Sequence, residues 1–223
     1  MVLLPVILAS FCGKITGGNW VYACCRLWAD VWLLLIGIFH KNIYEEKIGQ
    51  DRHYIFICNH ISYMDIPVLL KTVRQPIRVL GKSEMEKIPV FGLIYKIAVV
   101  SVNRKDAIQR AESVRNLLFF LNRNISVFIF PEGTFNLTDK PLKEFYDGAF
   151  RIAIETATAI KPIVLLDTHR RLNHKSIFSL TPGISRAVHL KKIETDNYSM
   201  EDLLKLKETA YVQMQNALLH YKG

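Results

Sequence analysis

His60 and Asp65 are the residues of this chain whose types and spacing best suit proton transfer. They lie in "YIFICNHISYMDIPVLL" (Tyr54–Leu70), where an apolar run breaks at Asn59 and His60, and Asp65 follows five residues after the histidine. Imidazole is the side chain whose ordinary titration falls within the physiological range. A carboxylate on one ring nitrogen fixes the tautomer and leaves the other nitrogen as a general base. The same carboxylate stabilises the imidazolium that forms on proton uptake. A His and an Asp at this spacing also arise by chance, and a metal site is the other chemistry they could serve. No further His/Asp/Glu pair at ligand spacing supports a metal.

Two more segments point the same way. "VFIFPEGTFN" (Val127–Asn136) reads as a strand running into Pro-Glu-Gly-Thr. Gly133 permits a tight turn there, and the backbone amides around Thr134 could face an anion. "FGLIYKIAVVSVNR" ends on Arg104, whose guanidinium suits bidentate phosphate binding. Together these residues would activate a hydroxyl on a phosphorylated substrate. Blander roles stand beside these: Glu132 as a cap of its own turn, and Arg104 as an ordinary surface ion pair. Cys58 shares a face with His60 on an extended chain, so its thiol could serve as a nucleophile. The expectation is a small buried strand residue. His53, His169, His174 and His189 have no partner pattern and are expected as surface or core residues.

The elements that must position these groups are those of one α/β domain. Strands are predicted at Tyr54–Cys58, Ile77–Leu80, Ala98–Val102, Ser126–Phe130 and Ile163–Leu166. Asn59 and His60 then emerge at the C-terminal end of a buried strand, the edge where open α/β sheets gather their sites. A helix starts near Asp65 or Ile66, with Pro67 tolerated in its first turn. "KDAIQRAESVRNLLFFLNR" reads as a helix with Ile108, Ala111, Val114, Leu118 and Leu121 on one face. Gly148–Ile160 is predicted as a helix stopped before Pro162, and Met200–Leu219 as a closing amphipathic helix. Alternating strands and helices imply a mixed, largely parallel sheet flanked by helices. The length, 223 residues, suits a single such domain.

Ahead of that domain, residues 1–40 read as an apolar helical hairpin that associates with a membrane, and 41–223 as the α/β domain. Val2–Cys12 is uncharged, but as a helix it reaches about 16 Å, half of a ~30 Å hydrocarbon core. No basic n-region precedes it, as a signal peptide would need. Trp20–Phe39 is long enough to span and holds all three tryptophans, with Arg26 and Asp30 spaced to pair on one face. Gly13–Asn19 would connect the two arms. A core-packed helix pair and a transmembrane span are the alternatives to a hairpin lying in one leaflet. Mean hydropathy is +0.16, high for a freely soluble chain. Lys+Arg 29 against Asp+Glu 20 gives a net charge of +9, which suits anionic lipid or a phosphorylated molecule. The basic residues are scattered, which argues against nucleic acid. Lys191 and Lys192 read as a solvated face that could also form a basic rim at a membrane. Four cysteines without CxxC spacing imply a reducing compartment.

"NHISYMD" resembles the His-x4-Asp motif of the glycerophospholipid acyltransferases, in particular the 1-acyl-glycerol-3-phosphate acyltransferase (PlsC-like) family. "GKSEMEKIPVFG" with "SVNR", then "FPEGT", then "IKPIVLL" (Ile160–Leu166) resemble the family's later blocks, in the family's order. The resemblance runs from Asn59 to Leu166. It implies that His60 deprotonates the acceptor hydroxyl for direct attack on an acyl thioester, and that Asp65 orients His60. It implies that Arg104, Glu132, Gly133 and Thr134 bind the acceptor's phosphate or polar head, and that Lys82 helps hold the tetrahedral oxyanion. The implied partners are a lysophospholipid acceptor, an acyl-ACP or acyl-CoA donor and a membrane surface, with no cofactor. The implied location is membrane-associated, on the cytoplasmic face of a bacterial inner membrane. Two departures favour a runner-up. Phe135-Asn136 replaces the usual Arg-Ser, and "FYDGAF" (Phe145–Phe150) carries Tyr146 and Asp147 where lysines are common. Fewer cations suit a lyso-aminolipid acceptor, unless Lys143 or Arg151 compensates. A non-catalytic lipid-binding module is the rival from another class.

Overall fold

The computed structural model describes residues 7–9, 11–49, 52–88, 91–103 and 105–222. Seven strands form one sheet in the order β1-β7-β6-β2-β5-β3-β4. They are β1 (Ile38–Tyr44), β2 (Ile55–Cys58), β3 (Ile77–Lys82), β4 (Val99–Val102), β5 (Ser126–Ile129), β6 (Ile160–Leu165) and β7 (Gly183–His189). The block β6-β2-β5-β3-β4 is parallel throughout. β1 and β7 are parallel to each other, and β7 meets β6 antiparallel. Among the described residues the α-helices include α1 (Gly18–Leu35), α2 (Asp65–Thr72), α3 (Phe91–Ala98), α4 (Ala107–Leu121), α5 (Gly148–Thr156), α6 (Thr168–Arg171) and α7 (Leu203–Lys222), and Gly13–Gly17, part of the expected connector, is a π-helix that runs directly into α1. The sheet is the mixed, largely parallel one expected, with helices on both faces.

The alternation of side chains along the central strands sorts the core into two halves. Ile55 and Ile57 of β2, with Val127 and Ile129 of β5, pack against α4, α5 and α7. Phe56 and Cys58, with Phe128 and Phe130, pack towards α1 and α2. Parallel strands buried on both faces read as continuous apolar runs, and for that reason β2 and β5 are legible without any alternation of polarity.

Several boundaries differ from expectation. α5 ends at Thr156 because Ala157 turns left-handed (φ 47°), well before the proline. β6 begins at Ile160 and includes Pro162, which lies opposite Ile57. Proline's φ is compatible with an extended strand and only its N–H is lost. α4 buries Ser113, Leu117, Phe120 and Leu121. Ile108, expected on the core face, is 76% exposed, and Ala111 is exposed as well, so the buried stripe begins only at Ser113. β1 and β7 were not foreseen, since His40, Lys41 and Asn42 interrupt the apolar pattern of the first.

The domain boundary expected at residue 40 falls inside β1. Asp30 does not pair with Arg26. It binds Arg74 and Lys71 at the end of α2, while Arg26 donates to Arg74 O. α1 therefore docks on α2 through charge as well as through Tyr22, Ala29 and Leu33. Most of Val2–Cys12 lies outside the described residues. Its visible end folds back so closely that a Cβ on Gly17 would lie 2.1 Å from Ala9 O, an approach that requires glycine. Among the described residues, no helix is long and apolar enough to cross a membrane.

Candidate active site

β2 and β5 are neighbours in the sheet although about 70 residues separate them, and this adjacency assembles the site. Beyond Cys58 the ladder continues by one side-chain rung. The Asn59 amide donates to Leu165 O (3.0 Å) and accepts from Leu165 N (2.8 Å). The main chain of His60 is then held by the segment after β5. Its N–H donates to Glu132 Oε1 (2.9 Å), and its carbonyl accepts from Asn136 N (2.7 Å).

Asp65 opens α2 and is fully buried. Its Oδ2 lies 2.8 Å from His60 Nδ1 and accepts the backbone N–H of Ile61 (2.8 Å) and Ser62 (2.9 Å). The helix N-terminus adds a favourable field for that negative charge. With Nδ1 donating to the carboxylate, Nε2 is the unprotonated, basic nitrogen. The ring stacks on Phe130 (centroids 4.0 Å apart) and meets the edge of Phe135 at 4.3 Å. Tyr63 touches Phe135 in turn. The His60 side chain is still 17% exposed, enough to reach a substrate while two phenyl rings hold its plane.

Glu132 faces inward. Its carboxylate bridges His60 N–H and, through Oε2, Lys143 N–H (2.8 Å), and it is almost fully buried. Burial pushes its pKa up to about 7, against the pull of those two amides and the Lys143 ammonium, with the Asp65 charge a smaller upward push. It ties two loops together, rather than capping its own turn or turning outward. Gly133 has φ 75° and its N–H closes the turn onto Phe130 O (3.0 Å), so that amide is occupied. Thr134 Oγ1 accepts from Lys143 Nζ (2.7 Å). Lys143 thus brings a cation to the Pro-Glu-Gly-Thr turn. Asp147, the acid of "FYDGAF", is bound by Lys207 of α7 (2.8 Å).

The remaining candidates are less centrally placed. Lys82, at the end of β3, pairs with Glu84 (3.3 Å) on an exposed surface. One strand of the sheet, β5, lies between β3 and β2. Arg104 lies outside the described residues. Cys58 is completely buried, and desolvation raises its pKa well above the ordinary thiol value, which makes it a poor nucleophile. Among the described residues no cluster of three or more His, Cys, Asp or Glu side chains could hold a metal. Sequence reasoning passed over Asn59, Phe130 and Phe135. Asn59 flanks the histidine and Phe135 follows the glutamate turn, while nothing in the sequence marks Phe130, the residue before Pro131, for a role.

The family model described as Acyltransferase matches residues 40–166, more than half of the chain. The chain belongs to the acyltransferase family. It is 31% identical to a 1-acyl-sn-glycerol-3-phosphate acyltransferase of Cocos nucifera, over 74% of this chain and 52% of that one. It is 28% identical to a protein of the same name from Borreliella burgdorferi, over 83% and 69%. The chain spans about half the length of the Cocos nucifera relative and of a chloroplastic one from Arabidopsis thaliana. Its acyltransferase fold is also that of the 1-acyl-sn-glycerophosphate acyltransferase PlsC of Thermotoga maritima. The TM-score is 0.75 and the identity 21%, covering 98% of this chain and 87% of the other.

Proposed function

We propose that this acyltransferase moves a fatty acyl group from a thioester, acyl-ACP or acyl-CoA, to the free hydroxyl of 1-acyl-glycerol-3-phosphate. The observation that carries the reading is the 2.8 Å contact between His60 Nδ1 and Asp65 Oδ2 at the C-terminal edge of a parallel sheet. His60 Nε2 takes the hydroxyl proton as the oxygen attacks the thioester carbon. The new C–O bond gives a tetrahedral oxyanion, and the imidazolium rests against the Asp65 carboxylate. Collapse breaks the C–S bond, and the departing thiolate takes the proton from Nε2. No acyl-enzyme is needed, in keeping with a buried, protonated Cys58.

A phosphate-bearing acceptor is favoured over a lyso-aminolipid for two reasons. Lys143 supplies a cation at Thr134, and Lys207 offsets the Asp147 charge. Arg104 is assigned to the same phosphate on its place in the motif, and Lys82 to the oxyanion, a role that requires it to leave its pairing with Glu84. The N-terminal forty residues are assigned to the membrane surface, because α1 exposes Trp20, Leu27, Trp28, Val31, Leu34 and Leu35. The four cysteines are free, consistent with a membrane face towards a reducing compartment. The test is an acceptor panel with one labelled thioester. Lysophosphatidate should be acylated faster than lyso-aminolipids, and the product should vanish in His60→Ala. Preference for the aminolipid would replace the acceptor, and full activity in His60→Ala would remove the mechanism.

A further inference from the structure

From Thr168 to Ile193 the chain contains no Asp or Glu, yet it carries Arg170, Arg171, Lys175, Arg186, Lys191 and Lys192. Arg186 is neutralised by Asp167 and Lys192 by Glu194. Arg170 and Lys175 are exposed, and no acidic side chain among the described residues pairs with them. Beside them stand Phe178, 91% exposed, Leu180, and Ile184, 59% exposed. An exposed phenyl ring is costly to hold in water, and the patch is not isolated. Gly183 N–H donates to Gly37 O (2.9 Å), and Ile184 lies opposite Phe39 in the β1–β7 ladder. Phe39 and Leu35 are themselves exposed. Exposed apolar side chains therefore continue from Leu35 at the end of α1 through Phe39 to Ile184 of this segment.

The loop is also tied to the reaction centre. α6 (Thr168–Arg171) ends at Leu172, whose carbonyl accepts from Ser62 Oγ. Ser62 N–H in turn donates to Asp65 Oδ2. One hydrogen bond therefore separates the loop from the segment that holds His60 and Asp65.

We propose that the loop from Thr168 to Ile184 is a second membrane anchor, selective for anionic lipid. Phe178 and Leu180 enter the headgroup layer, while Arg170 and Lys175 meet lipid phosphates. Continuity with the apolar face of α1 favours a bilayer over a soluble polyanion, because both patches then contact one surface. The inference rests on the reading of a membrane-surface enzyme, but it concerns where the enzyme sits and not how it reacts.

The full chain is mixed with vesicles of phosphatidylcholine alone, or of phosphatidylcholine and phosphatidylglycerol in equal parts. Arg170→Gln and Lys175→Gln should each weaken binding to the anionic vesicles by about fivefold, and leave binding to uncharged vesicles unchanged. Phe178→Ser should weaken both. Turnover of a water-soluble short-chain acceptor should stay at the wild-type rate in all three, which separates loss of the anchor from failure of the catalytic reading. Phe178→Trp keeps the charge intact, and its added emission should be quenched by bromine-labelled acyl chains. Unchanged vesicle binding in the variants, or no quenching, would overturn the proposal. So would equal losses on both vesicle types for the charge variants, or loss of soluble turnover. Tighter binding to a DNA duplex than to anionic vesicles, weakened by the same substitutions, would assign the patch to nucleic acid instead.

Discussion

Asp65 Oδ2 receives three hydrogens, while Oδ1 is buried with no partner among the described residues. Asp65→Asn can keep one oxygen for the three donors, but its amide NH2 then takes the orphan position. That costs about 1–3 kcal/mol and removes the charge that stabilises the imidazolium. The rate should fall by about 10²-fold or more while the thermal transition stays cooperative, as single-turnover assays and a melting curve would read. Glu132 has the opposite kind of problem, a carboxyl whose burial favours the neutral form. Its folded pKa, about 7, stands above the ordinary carboxyl value of 4.5. Its contribution is therefore complete below about pH 4.5 and is lost as pH rises towards 7, a change worth roughly 3 kcal/mol. Glu132→Gln removes that falling contribution, so stability measured from pH 4.5 to 6.5 should rise more steeply than in the wild type. It should also lower turnover, because an amide cannot accept from both His60 N–H and Lys143 N–H through oxygen.

At the scale of elements, the β1–β7 pair carries a buried polar seam that the central strands lack. His40 Nε2 and His189 Nε2 lie 3.0 and 3.2 Å from Asn42 Oδ1. Burial holds both imidazoles neutral, lowering His40 to about 4 and His189 to about 3. Neutral burial gives stability that is present above the unfolded value of 6.5 and lost as pH falls through the folded ones. Two histidines outweigh the single Glu132 in the overlapping range, so net stability should rise from pH 4 to 6.5. His189→Gln should reduce that rise in denaturant titrations at the two pH values. Nearby, the fully buried Lys161 of β6 donates to Glu46 Oε2 (2.7 Å) and Glu46 O (3.0 Å). Glu46→Gln leaves an uncompensated buried cation and should cost about 3 kcal/mol. Lys161→Met, which removes the charge altogether, should cost much less in the same unfolding assay.

The molecule as a whole is cationic, at +9, and concentrates exposed apolar residues on α1. Electrostatic attraction reaches only about 8 Å at physiological salt, so on the proposed membrane-surface reading it draws the enzyme in and apolar burial must hold it there. Trp20 is 63% and Leu35 78% exposed. Replacing either with Ser should lower vesicle partition by about tenfold or more, and high salt should not mimic that loss. The test is sedimentation with vesicles at low and high ionic strength.

Residue types and order alone determined the candidate His60–Asp65 pair, the glutamate turn, the largely parallel sheet and the apolar N-terminus. Each is a local pattern, because a doubly buried strand must be apolar throughout and a reactive side chain must leave it at a polar break. What only the tertiary structure decided was partnership. It joined β2 to β5, so that Glu132 could hold His60 through the main chain, and it set Lys143 on Thr134. It gave Asp30 to Arg74 and Lys71 in place of Arg26, and it left Lys82 with Glu84. These are choices among cations and acids distant in sequence, and the chemistry of a side chain states what it can bind without stating what the fold will bring within reach.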